Sequence, residues 1–79
     1  MKIPRDVSAD DLIKILSKLG YGVSRQKGSH IRLTSKIKNE EHHITIPNHS
    51  PLKIGTLNNI LNDIAEKNKI TKEELINLF

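Results

Sequence analysis

The chain has 79 residues, with thirteen Lys and Arg against nine Asp and Glu and a formal net charge of +4. That length gives one small domain, residues 1–79, with a modest core, and the basic balance favours a polyanionic partner. One Tyr, one Phe and no Trp all but exclude an aromatic platform for unstacked bases, and the lack of cysteine excludes a disulfide framework or a thiolate metal site.

Val7-Ser8-Ala9-Asp10-Asp11-Leu12 reads as a helix start. Ser8 is the N-cap, Asp11 completes a capping box, and Val7 staples against Leu12. Leu12, Ile15, Leu16 and Leu19 follow helical spacing, and Gly20 ends the helix. Tyr21 to Gln26 is a first strand with Val23 its inward residue. Lys27-Gly28-Ser29 turns the chain into a second strand around His30 to Ser35. Lys36 to Glu41 reads as a polar loop. His42 to Pro47 is a third strand, with Ile44 and Ile46 inward and His43 and Thr45 outward.

Two prolines frame the connector Pro47-Asn48-His49-Ser50-Pro51. A second helix begins between Lys53 and Gly55, runs to about Lys67, and carries Ile54, Leu57, Ile60, Leu61 and Ile64 on one stripe. Thr71 and Glu74 repeat the capping logic and open a short third helix. The expected fold is α+β: an α-β-β-β-α double-stranded-RNA-binding-like domain, whose three-stranded antiparallel sheet has helices on one face, followed by the short extra helix. Such domains contact phosphates and 2′-hydroxyls rather than base edges. No signal peptide or membrane-length apolar run is visible, so the sequence predicts a soluble, cytoplasmic protein with no membrane partner.

The charge is segregated. From Leu12 to Asn39 there is no carboxylate, while Lys14, Lys18, Arg25, Lys27, Arg32, Lys36 and Lys38 all fall there. Such a layout makes a positive field that attracts polyanions, although a basic stretch also serves as a solvated face with no partner. In the second strand Ile31 and Leu33 point to one side, and His30, Arg32 and Thr34 to the other. An imidazole that titrates near neutral pH then stands beside a guanidinium that can hold a phosphate. A lone strand histidine is more often an ordinary surface residue, so the spacing alone does not decide its role.

Gly28-Ser29-His30, Ile46-Pro47-Asn48-His49, the run Leu52 to Leu61, and Ile70-Thr71-Lys72-Glu73-Glu74-Leu75 together resemble the HicA toxins over nearly the whole chain. The resemblance implies a small mRNA interferase of double-stranded-RNA-binding-like fold, paired with a HicB antitoxin, and it makes His30 the catalytic residue. Glu66-Lys67-Asn68-Lys69 departs from the family pattern by lengthening the join between the last two helices.

RNA carries its own nucleophile, the 2′-hydroxyl, so cleavage needs proton transfer and charge stabilisation but no metal or other cofactor. His30 suits the proton transfer, Arg32 the scissile phosphate, and Lys27 and Arg25 the neighbouring backbone. Ser29 shapes the turn or donates to phosphate. His43 either approaches His30 as a second proton-transfer group or is a solvated strand residue. His42 points the other way, and no complete metal-ligand set is visible. His49 anchors the connector by hydrogen bonding, and Gly55-Thr56 opens a helix that either receives a phosphate or lets the backbone approach the sheet. The competing functions are a non-catalytic RNA-binding module of the same fold and an interaction domain that pairs through an exposed sheet edge.

Overall fold

The computed structural model describes residues 3–37 and 40–79. Its elements are α1 (Ala9–Ser17), β1 (Gly22–Lys27), β2 (His30–Ile37), β3 (Glu40–Pro47), α2 (Ile54–Asn68) and α3 (Lys72–Ile76). The strands form one antiparallel sheet in the order β1-β2-β3. This is the α+β, double-stranded-RNA-binding-like layout that the sequence predicts, with the third helix appended.

Local chemistry sets the helix starts. Ser8 Oγ accepts the Asp11 backbone N–H at 3.0 Å, and Asp11 Oδ2 accepts the Ser8 N–H at 3.1 Å. These bonds, the Ser8 backbone N–H foremost, hold the Asp11 carboxyl below its ordinary range, helped by Lys14. Thr71 and Glu74 build the same reciprocal box for α3. Helix α2 has no such cap: Lys53 is its N-cap without a side-chain bond, and no acidic residue stands in its first turn. Beyond α1, Gly20 takes a left-handed φ of 91°, and Tyr21 N–H bonds back to the Leu16 carbonyl, so the chain turns into the sheet.

Ile31 and Leu33 of β2 face Ile46 and Ile44 of β3 across the ladder, and all four are buried. They meet Leu12 and Leu16 from α1, Leu57, Ile60, Leu61 and Ile64 from α2, and Leu75 from α3. The sheet is thus apolar on its helix side and polar on its solvent side.

The ladder between β2 and β3 reaches further than the alternation suggests. Lys36 pairs with Glu41 and Ile37 with Glu40, so these residues are strand rather than polar loop. Opposite charges directly across an antiparallel pair favour that extension. Lys38 and Asn39, in the rest of that expected loop, lie outside the described residues.

Three further expectations are corrected. Val23 pairs with buried Leu33 yet is 51% exposed, because β1 is an edge strand that stays exposed along its length. A register shift between Val23 and Arg25 also interrupts its alternation. Ile54 is 46% exposed, because it is the first residue of α2, and the buried stripe begins only at Leu57. Residues 66–68 do not lengthen a join: they complete α2, and Lys69 closes it in a left-handed conformation (φ 55°), its N–H on the Ala65 and Glu66 carbonyls.

A polar cluster centred on buried Tyr21 and His42 ties the sheet to α2. Tyr21 Oη lies 2.6 Å from His42 Nδ1, His42 Nε2 lies 3.2 Å from Asp63 Oδ2, and Asn68 Nδ2 donates to Tyr21 Oη at 3.1 Å. One proton arrangement satisfies all three: neutral His42 donates from Nε2 to Asp63 and accepts the Tyr21 O–H at Nδ1. Burial, helped by the Asp63 charge and opposed by the Asn68 hydrogen bond, raises the Tyr21 phenol above its ordinary 10.0. Removing this hydroxyl leaves a buried imidazole nitrogen unpartnered, which costs about 1–3 kcal/mol. We therefore expect Tyr21→Phe to unfold at lower denaturant. Because the folded-state value is the raised one, the phenol's contribution is complete below the ordinary range and is lost as pH rises through it. Wild-type stability should accordingly fall in the alkaline range more steeply than that of Tyr21→Phe, as urea titrations at neutral and at alkaline pH will read.

Candidate active site

The solvent face of the sheet is a set of cross-strand rows fixed by the register. In the first row Lys27, His30 and Pro47 lie side by side; in the second, Arg25, Arg32 and Thr45. The third holds Thr34 and His43, and the fourth Lys36 and Glu41. Arg25, Lys27, His30 and Arg32 therefore meet on one face, and the helices lie on the other.

His30 begins β2 and is exposed. Its backbone surroundings are firmly held. Gly28 supplies the left-handed turn (φ 58°), and the Ser29 carbonyl accepts the Asn48 N–H at 2.6 Å. The connector is tied in turn to the start of α1: Ala9 N–H donates to the His49 carbonyl, and Leu52 N–H to the Val7 carbonyl. His49 thus anchors the connector through its main chain, and its exposed imidazole has no hydrogen bond among the described residues. Ser29 is likewise exposed, and its carbonyl is the group that fixes the turn.

Arg25 and Arg32 stand directly opposite each other, and neither is in an ion pair among the described residues. Like charges across a ladder repel, so the sheet holds two guanidiniums where an anion would relieve the strain. The nearest carboxylate on this face is Glu41, two rows away and engaged elsewhere: its Oε2 lies 3.3 Å from His43 Nε2.

His43 does not approach His30. Its ladder partner is Thr34, four residues along β2 from His30, a separation of about 13 Å at the ordinary strand rise. Instead His43 Nδ1 lies 2.8 Å from Thr34 Oγ1, which lies 2.9 Å from Ser24 Oγ. His42 points to the helices, as its place in the alternation requires. Gly55 makes no close approach, since a Cβ there would meet nothing within 4 Å. The sequence reading passes over Ser24 and Glu41; only the ladder register brings them beside Thr34 and His43.

A family model described as HicA toxin of bacterial toxin–antitoxin matches residues 9–65, from the start of α1 through most of α2. The chain belongs to the HicA toxin family. No curated protein and no solved structure matches it significantly. The family assignment makes this a toxin of a toxin–antitoxin pair, and the matched span contains all three strands and both basic rows. Among the described residues no helix is long and apolar enough to cross a membrane.

The opposed arginines make a stability test of this HicA-family face. Arg25→Gln removes the cross-strand repulsion and should raise the melting temperature at low salt, by the equivalent of roughly 0.2–1 kcal/mol. The gain should fade at high salt, where exposed charges are screened. A lower melting temperature at low salt would mean that Arg25 is held by attraction rather than repulsion.

Proposed function

We propose that this HicA-family toxin is a metal-independent endoribonuclease that cleaves mRNA with His30 as its catalytic residue. The observation that carries the reading is His30 itself: an exposed imidazole on a firmly held turn, beside Lys27 and one row from the Arg25–Arg32 pair, with no carboxylate in either row.

The chemistry follows from the substrate. The 2′-oxygen attacks the adjacent phosphorus, its proton passes to His30, and the P–O5′ bond breaks. The products are a 2′,3′-cyclic phosphate and a 5′-hydroxyl, whose oxygen takes a proton from His30 or from water. Arg32 and Arg25 stabilise the charge that builds on the phosphoryl oxygens, and Lys27 steers the strand toward His30. Ser29 shapes the turn that presents the imidazole, and His43 extends the RNA contact along the same face. No step calls for a metal ion.

His30→Ala should abolish cleavage of single-stranded RNA and leave the melting temperature nearly unchanged, because loss of an exposed side chain opens no cavity. EDTA should have no effect on the wild-type protein. A variant that still cuts would remove His30 from the mechanism, and inhibition reversed by a divalent ion would overturn the metal-free scheme. The other reading, a non-catalytic RNA-binding module, is favoured by the roughly 13 Å between His30 and His43, which leaves His30 without that second imidazole for proton transfer. It predicts salt-dependent binding with no cleavage by either protein.

We further infer a HicB-like antitoxin as the partner. A carboxylate-free patch of Arg25, Lys27, His30 and Arg32 favours an acidic surface, and its coverage would exclude RNA sterically. Association of toxin and antitoxin should be fast at low salt and slow several-fold at high salt, as stopped-flow mixing will read. A complex that leaves His30 open to solvent while cleavage is blocked would point to an allosteric mechanism instead.

A further inference from the structure

Beyond the two basic rows, the same face changes character. Ser24 Oγ, Thr34 Oγ1 and His43 Nδ1 form a continuous chain at 2.9 and 2.8 Å, and His43 Nε2 reaches Glu41 Oε2 at 3.3 Å. Each of the three strands contributes to it. The cluster is therefore as rigid as the sheet, and all of its side chains are at least partly exposed. Such a set is poor at holding phosphate, because a carboxylate repels it. It is well suited to a neutral group that both donates and accepts hydrogen bonds.

We propose that Thr34, His43 and Glu41, braced by Ser24, form a ribose subsite that takes a 2′-hydroxyl of the bound strand and so distinguishes RNA from DNA. The proposal rests on the reading of this face as the RNA surface, and it adds the group by which the sugar is recognised. Same-face residues on a strand recur at about 6.6 Å, close to the spacing of successive phosphates along a nucleic-acid strand. A phosphate seated on Arg25 and Arg32 therefore brings its nucleotide's sugar to the next row, where Thr34 and His43 stand. Glu41 Oε1 has no hydrogen-bond partner among the described residues and accepts the 2′ O–H there. Deoxyribose offers Glu41 nothing in return for its repulsion of the backbone. The hydroxyl is the one group by which a protein can tell the two sugars apart at a given position.

The test uses the full chain carrying His30→Ala, so that binding is read without cleavage. Its affinity for a short single-stranded RNA and for the DNA of the same sequence is measured by fluorescence anisotropy. The parent should prefer RNA by about tenfold, the scale of one hydrogen bond to a charged group. Adding Thr34→Val should collapse that preference by weakening RNA alone, and adding Glu41→Gln should collapse it partly by strengthening DNA. Thr34→Ser keeps the hydroxyl and should keep the preference. The dependence of log affinity on log salt should be unchanged in Thr34→Val, whereas Arg25→Ala should flatten it by about one unit or less. An unchanged RNA-to-DNA ratio in both Thr34→Val and Glu41→Gln would overturn the subsite and leave the RNA surface standing. Equal losses for RNA and DNA in Thr34→Val would reduce the cluster to a structural brace. No salt-dependent binding of either nucleic acid by any variant would overturn the RNA surface and the subsite together.

Discussion

The burial of Ile31, Leu33, Ile44 and Ile46 against the helices is the constraint on which the rest of the molecule depends. Side chains on a strand alternate with period two, so fixing these four on the helix side leaves His30, Arg32, Thr34, His43 and Thr45 no choice but the solvent side. A slip of one residue between β2 and β3 would place isoleucines in water and an arginine in the core. The polar face is thus not arranged by interactions of its own. It is the reverse side of the hydrophobic core and inherits that core's rigidity, which is how two like-charged guanidiniums can be held opposite each other.

Much of this was legible in the sequence because the signals were local and chemically specific. The two capping boxes, the turn at Gly28-Ser29 and the alternation through β2 and β3 each involve residues within four positions of one another. They predict the places of α1, α3, β2 and β3, although the ladder carries β2 and β3 two residues further than the alternation does. Other features depend on distant partners. Lys36 and Glu41 look like loop residues until the ladder pairs them. Glu66 to Lys69 resemble an inserted linker, although the chain simply continues α2 through Asn68 and turns at Lys69.

The candidate site divides along the same line. His30, Arg25, Lys27 and Arg32 could be named from motif and charge, and the fold places all four on one face. The relation between the two outward histidines could not be named, because the separation of His30 and His43 is a property of register rather than of spacing in the chain. The pair His42-His43 shows this most clearly. Each imidazole has a hydroxyl near Nδ1 and a carboxylate near Nε2, yet one set centres on the buried Tyr21–His42 pair and braces the sheet against α2 while the other lies open on the solvent face. Adjacent residues of identical chemistry acquire different tasks from nothing more than the pleat.

The register shift in β1 carries a consequence of the same geometric kind. Val23 faces Leu33, but Arg25 faces Arg32, so two steps along β1 answer one step along β2, and Ser24 is the supernumerary residue. Had β1 kept strict alternation from Val23, Arg25 and Lys27 would have turned toward the helices. The extra residue works as a spatial frameshift: it inverts the parity of everything downstream in the strand and brings both cations round to stand beside Arg32 and His30. The same residues paired in regular alternation through Ser24 would leave composition and net charge untouched while emptying the face of half its basic groups. In this small sheet, the number of residues between two cations matters as much as their identity.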